Sequence, residues 1–181
     1  MSAAFNPRRL DLRALVQAGD TLSGDTPLAD LERLVAEAVA PGEPVRWSAR
    51  AEYRQPPVLT GVARADAPVL WLHLMAEAAV PLTCQRCLGP VDTPLAVDRW
   101  FRFVADETTA EAEDEDSEED VLVFSPAFDL LSLVEDELIM ALPLVPLHGT
   151  CPVVVVTQAG EADVPVADKP NPFAALAQLK K

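Results

Sequence analysis

The sequence predicts an α+β domain: an antiparallel sheet of about four to six strands, an N-terminal helix, a second helix centred on Val-Glu-Asp-Glu, and a short C-terminal helix. Three observations carry this. Residues 45–54, VRWSARAEYR, alternate apolar and polar as a half-buried strand must. Residues 28–39 and 129–142 instead repeat their apolar positions at helical spacing. The strand-like stretches also follow one another closely, which favours an antiparallel meander over parallel crossovers.

In chain order, residues 1–27 form an N-terminal segment, and residues 28–104 supply a helix and the main sheet. Leu28, Leu31, Leu34, Val35 and Val39 share a helix face, and Pro41-Gly42 ends the pattern. In the next stretch Val45, Trp47, Ala49, Ala51 and Tyr53 face one way, while Arg46, Ser48, Arg50, Glu52 and Arg54 face the other. Strands are expected in PVLTGVARA and in PVLWLHLMAEAAVPLTC; the latter is apolar on both faces over 69–75 and therefore central. TPLAVDRWFRFVA, residues 93–105, resumes the pattern. Residues 105–120 read as an acidic disordered loop inside the domain, because ten acids repel one another and too little apolar surface is present to offset chain entropy.

The remainder of the domain, 121–168, opens with an edge strand in DVLVF and contains the helix 129–142. Asp129 is its N-cap, Leu131, Val134, Leu138 and Leu142 are its apolar stripe, and Pro143 is its stop. Glu135, Asp136 and Glu137 read as a solvated polar face; consecutive helix residues diverge by about 100°, so the three do not converge on one ion. Residues 169–181 read as a helical tail: Asn171 caps, Pro172 takes the first position, and Phe173, Leu176 and Leu179 share a face ahead of Lys180 and Lys181. At about ten residues it needs a docking surface, so these five side chains are candidate partner-binding residues.

Composition narrows the function. The 181-residue chain carries a formal net charge of −15, distributed unevenly. Residues 1–102 hold eleven arginines against twelve acids, residues 103–168 hold seventeen acids and no Lys or Arg, and all three lysines follow. No apolar run approaches the roughly 20 residues of a membrane helix. The early arginine pair lacks the apolar segment of a twin-arginine signal, so a cytoplasmic protein is expected. Phosphate-binding glycine loops and nucleophile elbows are missing, and only two histidines occur; no catalytic residue and no small-molecule substrate is assigned.

Two short motifs could hold a metal. Cys84 and Cys87 form Cys-x-x-Cys in a turn between strands, and His148 and Cys151 form His-x-x-Cys after the second helix. Together they make a Cys3His set suited to zinc. The competing reading is that Cys84 and Cys87 fill space at a sheet corner and His148 is an ordinary loop histidine. A redox pair ranks last, since such pairs normally open a helix, whereas this one follows a strand.

CQRCLGPV, then DLLSLVEDELIMALPLVPLH with Cys151 soon after, and finally KPNPFAALAQLKK resemble, in that order, the YceD family of large ribosomal RNA subunit accumulation proteins. The resemblance implies a noncatalytic ribosome biogenesis factor acting in the synthesis, processing or stability of 23S ribosomal RNA. Expected partners are 23S RNA or its precursor together with a large-subunit ribosomal protein or assembly factor. The arginine stripe, Arg46, Arg50 and Arg54 with Arg99 and Arg102, is the candidate RNA-binding set; the competing reading is a solvated strand face neutralised by local ion pairs. The alternative function is an acidic interaction protein that binds a basic ribosomal protein or assembly factor without contacting RNA.

Overall fold

The computed structural model describes residues 5–55, 68–114, 117 and 119–154. A five-stranded mixed sheet in the order β1-β2-β3-β4-β5 forms the frame. Its strands are β1 (Leu22–Thr26), β2 (Val45–Arg54), β3 (Val69–Thr83), β4 (Pro90–Val104) and β5 (Asp120–Val123). The first four pair antiparallel; β5 runs parallel to β4 and closes the edge. β3 and β4, fifteen residues each, form a long hairpin tipped by the Cys-x-x-Cys turn. The expected strand in residues 57–65 and the expected C-terminal helix 169–181 lie outside the described residues.

The alternation read from residues 45–54 sets the faces. Val45, Trp47, Ala49 and Ala51 turn inward with Leu70, Leu72 and Leu74 of β3 and Phe101 and Phe103 of β4. Helix α1 (Leu12–Ala18) and helix α4 (Leu130–Met140) contribute Leu12, Leu15, Leu130, Val134 and Leu138 to the same core. α1 and β1 fall in the N-terminal segment, residues 1–27, to which the sequence assigns no element. Their local signals are present: the Asp11 carboxylate accepts from the amides of Arg13 and Ala14, and Gly19 ends the helix in the left-handed conformation at φ 65°. Gly24 lets the Trp47 ring lie across β1, because a Cβ there would stand 2.8 Å from the ring.

The first expected helix is divided. A 3-10 turn spans Leu28–Asp30, Leu31 leaves helical geometry, and α2 covers Glu32–Glu37. Leu31 has no side-chain acceptor for the amides that open α2, and Glu135 of α4 supplies one. Its Oε1 accepts from the backbone amides of Arg33 at 2.6 Å and Leu34 at 3.1 Å, and its Oε2 accepts from the Arg33 guanidinium at 2.9 and 3.1 Å. A carboxylate 101 residues away thus does what an N-cap residue does locally. Asp129 caps α4 as expected, accepting from the Ser132 amide at 3.0 Å.

Two expectations are corrected here. Glu135 and Glu137 are buried, not part of a solvated face: Glu135 joins α4 to α2, and Glu137 accepts from Arg99 of β4 at 2.9 Å, while Asp136 alone is surface-exposed beside Arg33. The acidic stretch is not wholly irregular: Asp106 accepts from the Thr109 amide and hydroxyl, both at 2.9 Å, and opens helix α3 (Glu107–Asp114). Pairing with a sheet arginine supplies the countercharge that composition alone could not reveal.

Burial disfavours ionisation of Glu135, but the Leu34 amide and Arg33 outweigh it and hold the carboxyl below the usual glutamate value. A depressed folded-state pKa contributes stability above the ordinary value of 4.5, lost as pH falls through the lower native value. Urea unfolding should therefore show Glu135→Ala less stable by about 2–3 kcal/mol at neutral pH. The wild type should approach Glu135→Gln in stability as pH falls below 4.5.

Candidate metal centre and sheet-face arginines

At the tip of the β3–β4 hairpin the chain reverses through Cys84-Gln-Arg-Cys87. The Cys84 amide donates to the Gly89 carbonyl at 2.9 Å, and the Leu88 amide donates to the Cys84 carbonyl at 2.8 Å. Closing so tight a turn places Leu88 in the left-handed region at φ 61°, a conformation glycine would adopt without steric cost. The Gln85 amide then donates to the Pro146 carbonyl at 2.9 Å and fastens the segment after α4 to the hairpin.

That fastening brings the two motifs together. Ligand atoms of Cys84, Cys87, His148 and Cys151 all lie within 4.8 Å of one another. Cys87 Sγ is 3.4 Å from His148 Nδ1, and the His148 amide donates to Cys84 Sγ, also at 3.4 Å. The three thiols are unbridged. All four residues singled out in the sequence converge, although they come from segments about sixty residues apart.

The local electrostatics are those of a thiolate site. Burial of Cys84 opposes ionisation, yet backbone amides of His148, Cys87 and Arg86 aimed at its sulfur win and bring the pKa down to about 5. Cys151 is pushed up, first by burial and then by the sulfurs of Cys87 and Cys84. A preformed thiolate with further thiols and an imidazole around it is a donor set that suits a soft or borderline cation: with Zn–S bonds of about 2.3 Å, tetrahedral sulfurs stand about 3.8 Å apart. The surroundings also leave room for a metal staple. Leu144, Val145, Val153 and Val154 are exposed, so hydrophobic packing does little to hold the segment after α4 in place.

The five candidate arginines do not share one surface. Arg46, Arg50 and Arg54 lie on the outer sheet face, each in an ion pair: Arg46 with Glu77 at 3.0 Å, Arg50 with Glu52 at 3.7 Å, and Arg54 with Glu52 as well. Arg99 points to the inner side and is engaged by Glu137 and Asp120. Arg102 faces outward but is only 2% exposed, paired with Glu113 of α3 and with the Ser117 hydroxyl. The outer face also carries aromatic rings that the sequence reading left out: His73 stacks on Trp100 with centroids 4.3 Å apart, and the Arg54 guanidinium lies 3.6 Å from the Trp100 centroid and 5.0 Å from that of Trp71. The signal was in the alternation, since Trp71 and His73 fall on the polar phase of β3. Phe173, Leu176, Leu179, Lys180 and Lys181 lie outside the described residues.

Two outcomes follow. In metal-free protein, thiolate absorbance at 240 nm should show one group titrating near pH 5, absent from Cys84→Ser. Leu88→Gly, by relieving the left-handed conformation, should raise the stability of the metal-free protein by about 0.5–1 kcal/mol in urea unfolding.

Among the described residues no helix is long and apolar enough to cross a membrane. The family model described as large ribosomal RNA subunit accumulation protein YceD matches residues 72–180, a range that contains the hairpin tip, α3, α4 and all four candidate ligands. A Haemophilus influenzae protein of that same description is 41% identical over 105 residues, covering 56% of this chain and 60% of the relative. The chain thus spans about three fifths of the length of that curated relative. No solved structure matches it. With the family match running over more than half of its residues, the chain belongs to the YceD family.

Proposed function

We propose that the protein is a noncatalytic ribosome biogenesis factor, working in the cytoplasm, that supports accumulation of 23S ribosomal RNA through its synthesis, processing or stability. The observation that carries this reading is the family match across the hairpin tip and α4, together with the description of the Haemophilus relative as a large ribosomal RNA subunit accumulation protein. A structural role suits the geometry. The most elaborate cluster in the fold, the Cys3His set, supplies four ligands, and such closed sites fold segments rather than bind substrate.

Zinc is the metal that fits. Cys84, Cys87, His148 and Cys151 would hold it, and bound zinc would tie the segment after α4 to the hairpin tip as a cross-link. RNA contact falls to the outer sheet face, with Arg46, Arg50 and Arg54 on its phosphates; Arg99 is committed to the fold. The terminal segment with Phe173, Leu176, Leu179, Lys180 and Lys181 is the handle for a large-subunit ribosomal protein or assembly factor.

Depleting the protein from its native cells should lower the ratio of 23S to 16S ribosomal RNA, and an unchanged ratio would remove the reading. Metal analysis of protein purified without chelator should find about one zinc per chain, and Cys87→Ser or His148→Ala should weaken zinc binding at least about tenfold. Tagged protein should retain precursor large subunits at low salt and release them as salt rises, with the Arg46, Arg50, Arg54 triple alanine variant released earlier. Retention of one basic ribosomal protein in the absence of RNA would favour the acidic interaction protein instead.

A further inference from the structure

The outer side of β3 and β4 holds two buried donors that no described residue satisfies. Trp71 and Arg102 are direct cross-strand partners, 5% and 2% exposed. Among the described residues, Trp71 Nε1 and Arg102 Nε have no hydrogen-bond acceptor. Buried unsatisfied donors are rare and costly, and two side by side call for an acceptor oxygen between or above them. Around them stand the Arg54 guanidinium, 5.0 Å from the Trp71 ring, and the stacked Trp100–His73 pair. Cations beside aromatic rings suit a nucleotide strand: oxygens on the guanidiniums, and a base on Trp100 once Arg54 swings from its face to a phosphate.

Helix α3 lies over the Arg102 end of this place. Of its eight residues, ETTAEAED, four are acidic and only Ala110 is buried. It packs against β5 and β4 and meets the outer sheet face at Arg102, whose two terminal nitrogens take Glu113 and Ser117 and leave Nε with no acceptor among the described residues. So short a helix is marginal by itself, and a carboxylate on a guanidinium is a fair copy of a phosphate oxygen in charge and hydrogen bonding. We propose that the outer sheet surface formed by Arg54, Trp71, Trp100 and Arg102 is a binding site for single-stranded RNA, which α3 occupies as a tethered phosphate mimic until RNA displaces Glu113. The site rests on the reading of the protein as a factor acting on ribosomal RNA. Such a site would let so acidic a chain bind RNA: the acids closest to it neutralise it only while it is empty of RNA.

The test is fluorescence anisotropy with the full chain and a labelled twelve-nucleotide oligouridylate at two salt concentrations, with circular dichroism as a check of fold. Glu113→Gln removes the mimic and leaves Arg102 in place, and should tighten binding about tenfold with a steeper salt dependence. In that background Trp100→Ala should weaken binding by about 5- to 100-fold, and Trp100→Phe should restore most of it. Equal affinity of wild type and Glu113→Gln, or indifference to Trp100→Ala, overturns the proposal. Binding of polyglutamate in preference to the oligonucleotide overturns it in favour of an acidic protein partner. Neither result touches the ratio of 23S to 16S RNA in depleted cells: a lowered ratio with no oligonucleotide binding sinks the site alone, whereas a normal ratio sinks the ribosomal reading.

Discussion

Glu135 is the interaction on which the arrangement rests. A carboxylate buried on α4 accepts two backbone amides at the start of α2 and the guanidinium of Arg33 at once. Two positions on, Glu137 takes Arg99 of β4. Side chains at i and i+2 point to different sides of a helix, so one helix is tied to a neighbouring helix and to the sheet by adjacent acids. Each buried carboxylate would be a severe cost without its partner; paired, both hold α4 in a single position and direction.

The direction of α4 decides where the chain goes next. The segment after it passes the hairpin tip, where the Gln85 amide meets the Pro146 carbonyl, and this contact delivers His148 and Cys151 to Cys84 and Cys87. The hairpin contributes its own part through a turn that forces Leu88 into the left-handed region and aims backbone amides at the Cys84 sulfur. Exposed apolar side chains in the segment after α4 leave it little cohesion of its own, which is the circumstance in which a bound cation contributes most to local order.

The two sheet faces divide the labour. The inner face is a conventional core of Leu, Val, Ala and Phe against α1, α2 and α4. The outer face keeps its charge and its aromatic rings, arranged as ion pairs and stacks, with α3 against β5 and β4. The net charge of −15 already counts the arginines, so pairing leaves the excess unchanged; what it does is set acids of α3 and α4 beside Arg102, Arg99 and Arg33.

Much of this was legible from residue order. Period-two alternation in 45–54 and helical spacing in 129–142 identified β2 and α4, because burial on one face imposes those periods whatever lies opposite. The four metal-site candidates were legible as two tight-turn pairs. What the sequence could not reveal were relations between distant charges. Glu135 and Glu137 looked like solvent residues since nothing local marks a buried carboxylate; α3 looked disordered since its countercharge, Arg102, sits on another element; and Leu28–Val39 looked like one helix since its true cap is on α4. The sequence by itself determined periodicity, turns and ligand types, which depend on neighbours along the chain. Only the tertiary structure decided which charges are buried, which acid each arginine meets and whether the two cysteine motifs meet, because those depend on partners that the fold alone brings within reach.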